Sequence, residues 1–350
     1  MKTEPTAGLV PATGRLVSEL VRENIRALSP YSTARDEYVG ELGVFLDANE
    51  NPYDNGLNRY PDPYQRQLKR RLAEIRGAAV ENIFVGNGSD EVIDLAFRVF
   101  CTPGVDCALS VAPTYGMYRV AAATNDVRMV EVQLGENFEL DTDRLLAAAP
   151  EAKLLFICSP NNPSGNSFPH EQLRRLLSSF GGMVVLDEAY IDFSSRASFL
   201  AELDRWPNLV ILQTLSKAWG MAGLRLGLAF ASSYVTGLFT RVKYPYNINA
   251  LAQRTALERL ATDVAPQVRE IVSERRRLAE ALAQLPVVKH VYPSDANFLL
   301  VRFDDPREIY RRLIGAGLIV RDRSSIPGCE GCLRITVGTP EENGKLLEEL

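Results

Sequence analysis

Cysteine and histidine are scarce in this sequence. Five cysteines and two histidines occur among 350 residues. So few cysteines exclude a disulfide framework, and reduced thiols are expected. Cys329 and Cys332 have C-x-x-C spacing, but without a second ligand pair we interpret them as part of a loop before a strand rather than a zinc site. We assign His170 and His290 surface or packing roles, which disfavours hydrolases that rely on a histidine base.

Long apolar runs and basic blocks are also missing. No apolar run approaches the roughly 20 residues that span a bilayer, and the first residues, MKTEPTAGLVPATG, lack the apolar core of a signal peptide. The formal net charge is -5 and no run of lysine and arginine forms a basic tail. Nucleic acid and anionic membranes are therefore not expected as partners. We expect a cytoplasmic protein that binds small molecules or a second copy of itself.

Short apolar runs alternate with helical patterns through the middle of the chain. The runs lack a period of two, which is typical of strands buried on both faces of a sheet. The alternation predicts an α/β fold with a mostly parallel sheet between two layers of helices. The predicted strands are NIFVGN, DCALSVAP, DVRMVEVQL, LLFICSP, MVVLDEAY, LVILQTLS and LRLGLAF.

The pattern changes after KYPYNINALAQ, where long amphipathic helices extend to about Leu285. Strands ANFLLVRF, LIVRDR and CLRITVG and a helix near REIYRRLIGAG follow, which predicts a smaller α+β domain. We therefore divide the chain into residues 1–45, 46–248 and 249–350. The first is a segment that packs with the small domain or a partner subunit, the second a large ligand-binding domain, and the third the small domain.

Polar loops follow several predicted strands, at the edge where open parallel sheets bind ligands. In GNGSDE, glycines permit a tight turn, and the backbone near Ser89 and Asp90 opens a helix whose N-terminus can hold a phosphate. Glu91 stands where a dinucleotide fingerprint has its third glycine, so that interpretation is weak. A simple N-cap role for Ser89 is the alternative.

A carboxylate, an amide and two phenols come from neighbouring loops. Asp187 ends the apolar run MVVL, and a buried carboxylate needs a cationic partner to stay ionised, for example a protonated pyridine nitrogen. Tyr190 lies three residues further on, Asn162 precedes a proline that fixes its turn, and Tyr115 offers a ring to a heterocycle. Each of these residues could instead serve turn or core chemistry.

Lys217 lies in TLSKAWGMAGLRLG, between the hydroxyls of Thr214 and Ser216 and the cation Arg225. A desolvated amine near another cation has a lowered pKa and becomes nucleophilic, whereas a guanidinium grips a phosphate with two donors. A Schiff-base lysine, a carboxylate for a pyridinium and a phosphate-binding turn together indicate pyridoxal 5'-phosphate as the cofactor.

These motifs resemble those of the class II, fold-type I pyridoxal-phosphate aminotransferases over nearly the whole chain. The segments VRDR and GCLRITVGT are similar to those of family members that act on histidinol phosphate. The other matching motifs are LDANENPY, YPDP, APTYGMY, CSPNNPSG, VVLDEAYIDF, TLSKAWGMAGLRLG, PYNIN and SDANFLLVRF.

The resemblance implies a role for each site residue. Lys217 would form the Schiff base, Asp187 would pair with the pyridine nitrogen, and Tyr190 would hold the ring oxygen together with Asn162. Tyr115 would stack on the ring. Lys217, Asp187 and Tyr190 are the expected catalytic residues. The phosphate would be held by Ser89, Asp90, Thr214, Ser216 and Arg225.

The resemblance also implies a homodimer in which Tyr53 reaches the cofactor of the neighbouring subunit. Two residues, Asp54 and Asn55, stand before Gly56 where the family usually has glycine directly after ENPY, so this loop departs from the pattern. NNPSG also has Ser164 where threonine is commoner.

Substrate recognition is expected from Tyr31, Asn162, Arg323 and Arg334, with the two arginines on the substrate's phosphate. The implied reaction is ping-pong transamination between histidinol phosphate and 2-oxoglutarate, giving imidazole acetol phosphate and glutamate, in histidine biosynthesis. A broad aromatic aminotransferase and a phosphothreonine-type decarboxylase remain alternatives. A non-catalytic cofactor-sensing regulator is disfavoured because no DNA-binding module is attached.

Overall fold

The computed structural model describes residues 16–30 and 44–350. Seven strands form its central sheet in the order β1-β7-β6-β5-β4-β2-β3. Strands β2 to β6 run parallel to one another, and β7 pairs antiparallel with both β6 and β1. The predicted α/β fold with a mostly parallel sheet is confirmed. The strands are β1 Ile83–Asn87, β2 Cys107–Ala112, β3 Arg128–Gln133, β4 Leu154–Cys158, β5 Met183–Asp187, β6 Leu209–Thr214 and β7 Leu226–Ala231.

Helices cover both faces of this sheet. Alternate residues of each strand enter two buried clusters, one packed against α3, α6 and α7 and the other against α4, α5 and α8. Because both faces are covered, the strands read as nearly continuous apolar runs. The helices are α1 Val17–Leu20, α2 Glu23–Arg26, α3 Arg66–Arg76, α4 Ser89–Phe100, α5 Met117–Thr124, α6 Thr142–Ala148, α7 His170–Ser179, α8 Ser233–Val242, α9 Ala250–Arg259, α10 Ala265–Leu282, α11 Pro306–Gly315 and α12 Pro340–Glu348. Within residues 16–30 and 44–350, none of the helices combines the length and the apolar character that crossing a membrane requires.

The described part of the N-terminal segment packs on the large sheet. Val17, Leu20 and Ile25 are buried in the same cluster as residues of α4 and α8. The backbone N–H of Arg22 donates to the carbonyl of Val99 at 3.0 Å. The apolar side chains of residues 17–25 therefore pack on the outer layer of the large sheet. The expectation that residues 1–45 pack with the small domain or a partner subunit stays a prediction.

A second sheet of four antiparallel strands lies near the C-terminus, in the order β10-β11-β9-β8. Its buried face packs with α10, α11 and α12. The predicted strand LIVRDR is reduced to two residues, because only Arg321 and Asp322 pair with β11. The division at residues 45 and 248 stays a prediction. The strands are β8 Val288–Val291, β9 Phe298–Phe303, β10 Arg321–Asp322 and β11 Cys332–Thr336.

Arg275 of α10 donates hydrogen bonds to loops that belong to the two different sheets. Its Nη1 donates to the carbonyl of Ala296 at 2.7 Å, before β9, and to the carbonyl of Phe193 at 3.3 Å, in the turn after β5. The guanidinium is buried, which lowers its pKa. A buried cation held by carbonyl groups of both parts fixes where the small sheet lies relative to the turn after β5.

The carboxyl edge of the large sheet brings the predicted site loops together. Asp187 ends β5 and Thr214 ends β6. Because β7 is antiparallel, its first residues lie at this same edge, where Gly227 pairs with Thr214 and Leu226 with Asn87. Residues on both sides of the β6–β7 connection therefore reach one site.

Candidate active site

Ten of the predicted residues line the same cavity, which contains about 540 Å³ of empty space, part of it open to solvent. Gly88, Cys158 and Ala189 also line it and were not predicted from the sequence. Residues from five separate loops thus converge at the carboxyl edge, as the topology requires. The predicted residues are Ser89, Asp90, Tyr115, Asn162, Asp187, Tyr190, Thr214, Ser216, Lys217 and Arg225.

Backbone groups form one end of the cavity. Gly88 has φ 74° and precedes α4, and its N–H donates to the carbonyl of Arg225 at 2.6 Å. No side chain of the described residues caps the helix at Gly88, so Ser89 is its first residue rather than its N-cap. A Cβ on Gly227 would lie 2.1 Å from the backbone nitrogen of Ser89. The absence of a side chain there is what allows α4 to begin so close to β7.

Arg225 lies beside this helix start in a left-handed conformation with φ 54°. Its Nη2 is 3.6 Å from Oδ2 of Asp90. The hydroxyl of Thr214 donates to the carbonyl of Leu226, the residue after Arg225, at 3.3 Å and accepts from the N–H of Ser216 at 3.0 Å. A helix N-terminus, two hydroxyls and a guanidinium form a site suited to a phosphate.

Asp187 also lines the cavity and is 2% exposed. Burial raises the pKa of its carboxyl group from 3.8 to about 6, whereas hydrogen bonds from Tyr118 and Ala189 and the charge of Lys217 act to lower it. Its Oδ1 accepts from the N–H of Ala189 at 3.0 Å. A carboxylate has about four acceptor positions, so this side chain can still accept from a ligand N–H.

Tyr118 is a site residue that the sequence analysis missed. Its hydroxyl donates to Oδ2 of Asp187 at 2.7 Å, and its ring is 1% exposed. The sequence shows only a tyrosine one helical turn after Tyr115, which by itself is an ordinary core position. The contact joins residues 69 positions apart, so only the tertiary structure reveals it.

Asn162, Tyr190 and Arg334 form a polar chain between the two sheets. Nδ2 of Asn162 is 3.5 Å from the Tyr190 hydroxyl, and Oδ1 of Asn162 accepts from Nη1 of Arg334 at 2.6 Å. The Arg334 guanidinium lies over the ring of Phe298, 5.3 Å from its centroid. Burial raises the pKa of Tyr190, so its hydroxyl remains protonated and can donate at neutral pH.

Lys217 follows β6 at the mouth of the cavity, with Nζ 5.6 Å from the centroid of the Tyr190 ring. The side chain keeps contact with solvent, yet its pKa is lowered, first by partial burial and then by the positive charges of Arg334 and Arg225. Partial burial and the charges of Arg334 and Arg225 therefore increase the neutral fraction of the Lys217 amine. A neutral amine can act as a nucleophile or a base.

Arg323 approaches the site from the small-domain side. Its charge acts on Tyr190, and its own pKa is lowered by burial and by Arg334. Its Nε is buried without a hydrogen-bond partner among residues 16–30 and 44–350. Such a donor is costly to bury unless something accepts from it. Arg323 and Arg334 therefore form a cationic pair suited to an anionic ligand.

Four predicted residues are not among those that line this cavity: Arg323 and Arg334, described above, and Tyr53 and Tyr31. Tyr53 is 82% exposed, in a loop where Asn51, Asp54 and Asn55 accept from backbone N–H groups two residues ahead. Its predicted contact with a neighbouring subunit stays a prediction. Tyr31 lies outside the described residues.

The histidines and the C-x-x-C cysteines do not line the cavity. The ring of His170 packs 4.6 Å from that of Phe199, and the ring of His290 packs 4.5 Å from that of Tyr292. Cys329 and Cys332 are buried free thiols. No group of three or more potential metal ligands occurs in the part of the chain that the structure describes.

Comparison with known proteins identifies the family. The model for aminotransferase class I and II matches residues 44–350. The chain is 52% identical over 337 residues to the histidinol-phosphate aminotransferase of Parabacteroides distasonis, covering 95% of this chain and 98% of that relative. The chain belongs to the class I and II aminotransferases. Within that family it belongs with the histidinol-phosphate aminotransferases, so the family predicted from the motifs is confirmed.

Solved structures of this aminotransferase family share the fold. The histidinol-phosphate aminotransferase of Clostridium acetobutylicum is 25% identical, with a TM-score of 0.77 over 84% of this chain and 90% of that chain. The enzyme of Sinorhizobium meliloti, solved in complex with pyridoxal 5'-phosphate, is also 25% identical, with a TM-score of 0.77 over 83% of this chain and 81% of that one. The predicted fold-type I architecture is therefore confirmed.

Proposed function

We propose that this aminotransferase moves the amino group of histidinol phosphate to 2-oxoglutarate, with pyridoxal 5'-phosphate bound in the cavity described above. The products are imidazole acetol phosphate and glutamate. The observation that carries the proposal is that Lys217 lines the same cavity as the buried Asp187 and the phosphate-binding turn, with its pKa lowered by burial and by the charges of Arg334 and Arg225. The names and the identity of the curated relatives support the substrate.

The cavity is suited to both the phosphate and the ring of the cofactor. The start of α4, Thr214, Ser216 and Arg225 would hold the phosphate, and a Cβ on Gly227 would close this cradle. Asp187 would pair with the ring nitrogen, while Asn162 and Tyr190 would donate to the ring oxygen. Tyr115, fixed by a 3.0 Å hydrogen bond to Asp90, would stack on the ring. When bound, the cofactor supplies an electron sink for the carbon that loses a proton.

Asp187 holds a proton on the ring nitrogen of the bound ligand. A carboxylate in a dry site attracts a cation strongly, because little water screens the interaction. Its contacts with Tyr118 and Ala189 keep both oxygens oriented while acceptor positions remain. The residue thus stabilises positive charge at the nitrogen through the reaction.

Lys217 provides the base. Its Nζ, neutral more often than an ordinary lysine amine, accepts the proton from the substrate carbon that carries the amino group. The neighbouring charges of Arg225 and Arg334 oppose its protonation, so the proton can be released again. A positioned amine of this kind removes the need for a histidine base at the site.

The two arginines select an anionic substrate. Histidinol phosphate carries a phosphate and lacks a carboxylate on the reacting carbon, and two guanidinium groups match a dianion with forked donors. Arg334 already makes a 2.6 Å bond to Asn162, so it is held in place before the ligand arrives. The carboxylate of 2-oxoglutarate would use Arg334 in the second half of the cycle.

A homodimer belongs to the same proposal. The exposed ring of Tyr53 would contact the cofactor's phosphate in a neighbouring subunit. The cytoplasmic location expected from the sequence stays a prediction.

The test is a two-step assay of the purified holoprotein. Histidinol phosphate alone should give one equivalent of imidazole acetol phosphate per site, and 2-oxoglutarate added afterwards should give an equal amount of glutamate. Lys217→Arg, which keeps a cation, is the control and should form neither product. Release of carbon dioxide from phosphothreonine without 2-oxoglutarate would indicate a decarboxylase instead. Comparable kcat/KM for phenylalanine and histidinol phosphate would indicate a broad aromatic aminotransferase.

A further inference from the structure

Tyr118 lies beneath the cavity, out of reach of solvent. Its hydroxyl donates to Oδ2 of Asp187 at 2.7 Å. The ring stacks on Phe156 with centroids 4.9 Å apart and meets the edge of Tyr115 at 5.6 Å. Rings packed on two sides restrict the phenol to one orientation, so the direction of its O–H is set by the core.

We propose that Tyr118 is a positioning residue that orients the Asp187 carboxylate and strengthens its contact with the bound cofactor. The inference rests on the proposed function, because it takes the cofactor's ring nitrogen as the partner of Asp187. The family resemblance described in the sequence analysis assigned no role to Tyr118.

The start of α5 supplies both Tyr115 and Tyr118. Tyr115 precedes the N-cap of α5 and Tyr118 lies in its first turn, and the N–H of Tyr118 donates to the carbonyl of Tyr115 at 3.3 Å. Tyr115 lines the cavity and bonds to Asp90, whereas Tyr118 passes below and bonds to Asp187. The turn therefore couples the stacking ring to the carboxylate that meets the ring nitrogen.

The hydroxyl is the donor in its hydrogen bond with Asp187. Burial and the charge of Asp187 raise the pKa of Tyr118 well above its usual value, so it stays protonated. The other groups that act on Asp187 are Asp90 of α4, which raises its pKa, and Lys217, which lowers it. The thiol of Cys158 on β4 also lies beside Tyr118 and Asp187, and its own pKa is raised by burial. Among them, Tyr118 makes the short hydrogen bond to Oδ2.

The test compares Tyr118→Phe with the unchanged protein. Phenylalanine keeps the ring and its packing and removes one oxygen, so the melting temperature should change little. The dissociation constant for pyridoxal 5'-phosphate, measured by titrating the cofactor-free protein, should rise roughly tenfold at pH 8, because the Asp187 carboxylate is no longer held in the orientation that meets the ring nitrogen. Tyr292→Phe, a matched change of a buried tyrosine on the small domain, should leave the constant unchanged.

The pH profile separates positioning from a general packing defect. Cofactor affinity should fall as the pH drops through the pKa of Asp187, which is about 6. Without the Tyr118 donor that pKa is higher, so the fall should begin at a higher pH. A packing defect would weaken affinity by the same factor at every pH.

A double-mutant cycle of Tyr118 and Asp187 tests whether the two side chains act together. On an Asp187→Asn background, Tyr118→Phe should have almost no further effect on affinity. An unchanged affinity and pH profile in Tyr118→Phe, or an equal loss on both backgrounds, would overturn the inference. The unchanged protein failing to bind pyridoxal 5'-phosphate would refute the proposed function itself.

Discussion

Replacing Asp187 by asparagine is expected to stabilise the cofactor-free protein at pH 8 while weakening cofactor binding. The substitution keeps the shape of the side chain. The asparagine oxygen can accept from the N–H of Ala189, and its NH₂ group can donate to the hydroxyl oxygen of Tyr118, which also accepts. Both polar atoms of the asparagine side chain then keep a partner, and the main change is the loss of a buried charge.

The magnitude follows from the pKa of Asp187, which rises from 3.8 to about 6 on folding. Because the folded protein binds this proton more tightly than the unfolded chain does, ionisation opposes folding. The cost is absent well below pH 3.8, grows as the pH rises towards 6 and is constant above it. A tenfold change in proton affinity is worth about 1.4 kcal/mol, so the full cost is roughly 3 kcal/mol at pH 8 and below about 1 kcal/mol near pH 4.

Urea unfolding of the cofactor-free protein at pH 4 and pH 8, followed by circular dichroism, measures this difference. The asparagine variant should gain roughly 3 kcal/mol at pH 8 relative to its effect near pH 4. Glu188, whose pKa burial raises to about 7, gives the same pH dependence in both proteins and cancels in the comparison. A variant that is equally or less stable than the parent at pH 8 would show that Asp187 does not carry a destabilising buried charge.

Three further substitutions test separate parts of the structure. Gly227→Ala should lower the free energy of unfolding by several kcal/mol, because its Cβ would lie 2.1 Å from the backbone nitrogen of Ser89. Thermal unfolding measures this loss, and Gly223→Ala, whose Cβ would meet nothing within 4 Å, is the control that should be tolerated. Arg225→Lys keeps a charge but loses the forked donors, so the dissociation constant for pyridoxal 5'-phosphate should rise roughly tenfold in a titration; an unchanged constant would argue against a phosphate contact. Arg275→Met removes donors to two buried carbonyl groups and should cost roughly 1–3 kcal/mol in urea unfolding, and no change would exclude it as a link between the two parts.

The central sheet could be predicted from the sequence because buried parallel strands leave an apolar signature. All seven predicted runs form strands. Helix α8 was not predicted: its sequence SYVTGLFTRV contains valine, threonine and glycine, which are weak helix formers, and the cap from Ser232 is a local signal that was not used. The antiparallel direction of β7 could not be predicted from its apolar residues, because a buried strand has the same apolar pattern whichever way it runs.

Some residues of the candidate site could be predicted from the sequence and others could not. Residues that follow strands, such as Asp187 and Lys217, could be found because the edge of a parallel sheet collects them. Tyr118 could not, because its role depends on a contact with a residue 69 positions away. Tyr53 remains a prediction for a different reason: its partner belongs to a second chain.

The reversed strand β7 also affects how the site responds to motion. In a parallel strand, Arg225 would have entered at the far edge of the sheet, roughly 20 Å from Lys217 for a six-residue strand. Reversal leaves only seven residues between the amine that anchors the ligand and the guanidinium that holds its phosphate. Their separation is therefore set by a short stretch of chain tied to two paired strands. A shift of the small domain can reposition Arg323 and Arg334 while this spacing stays constant.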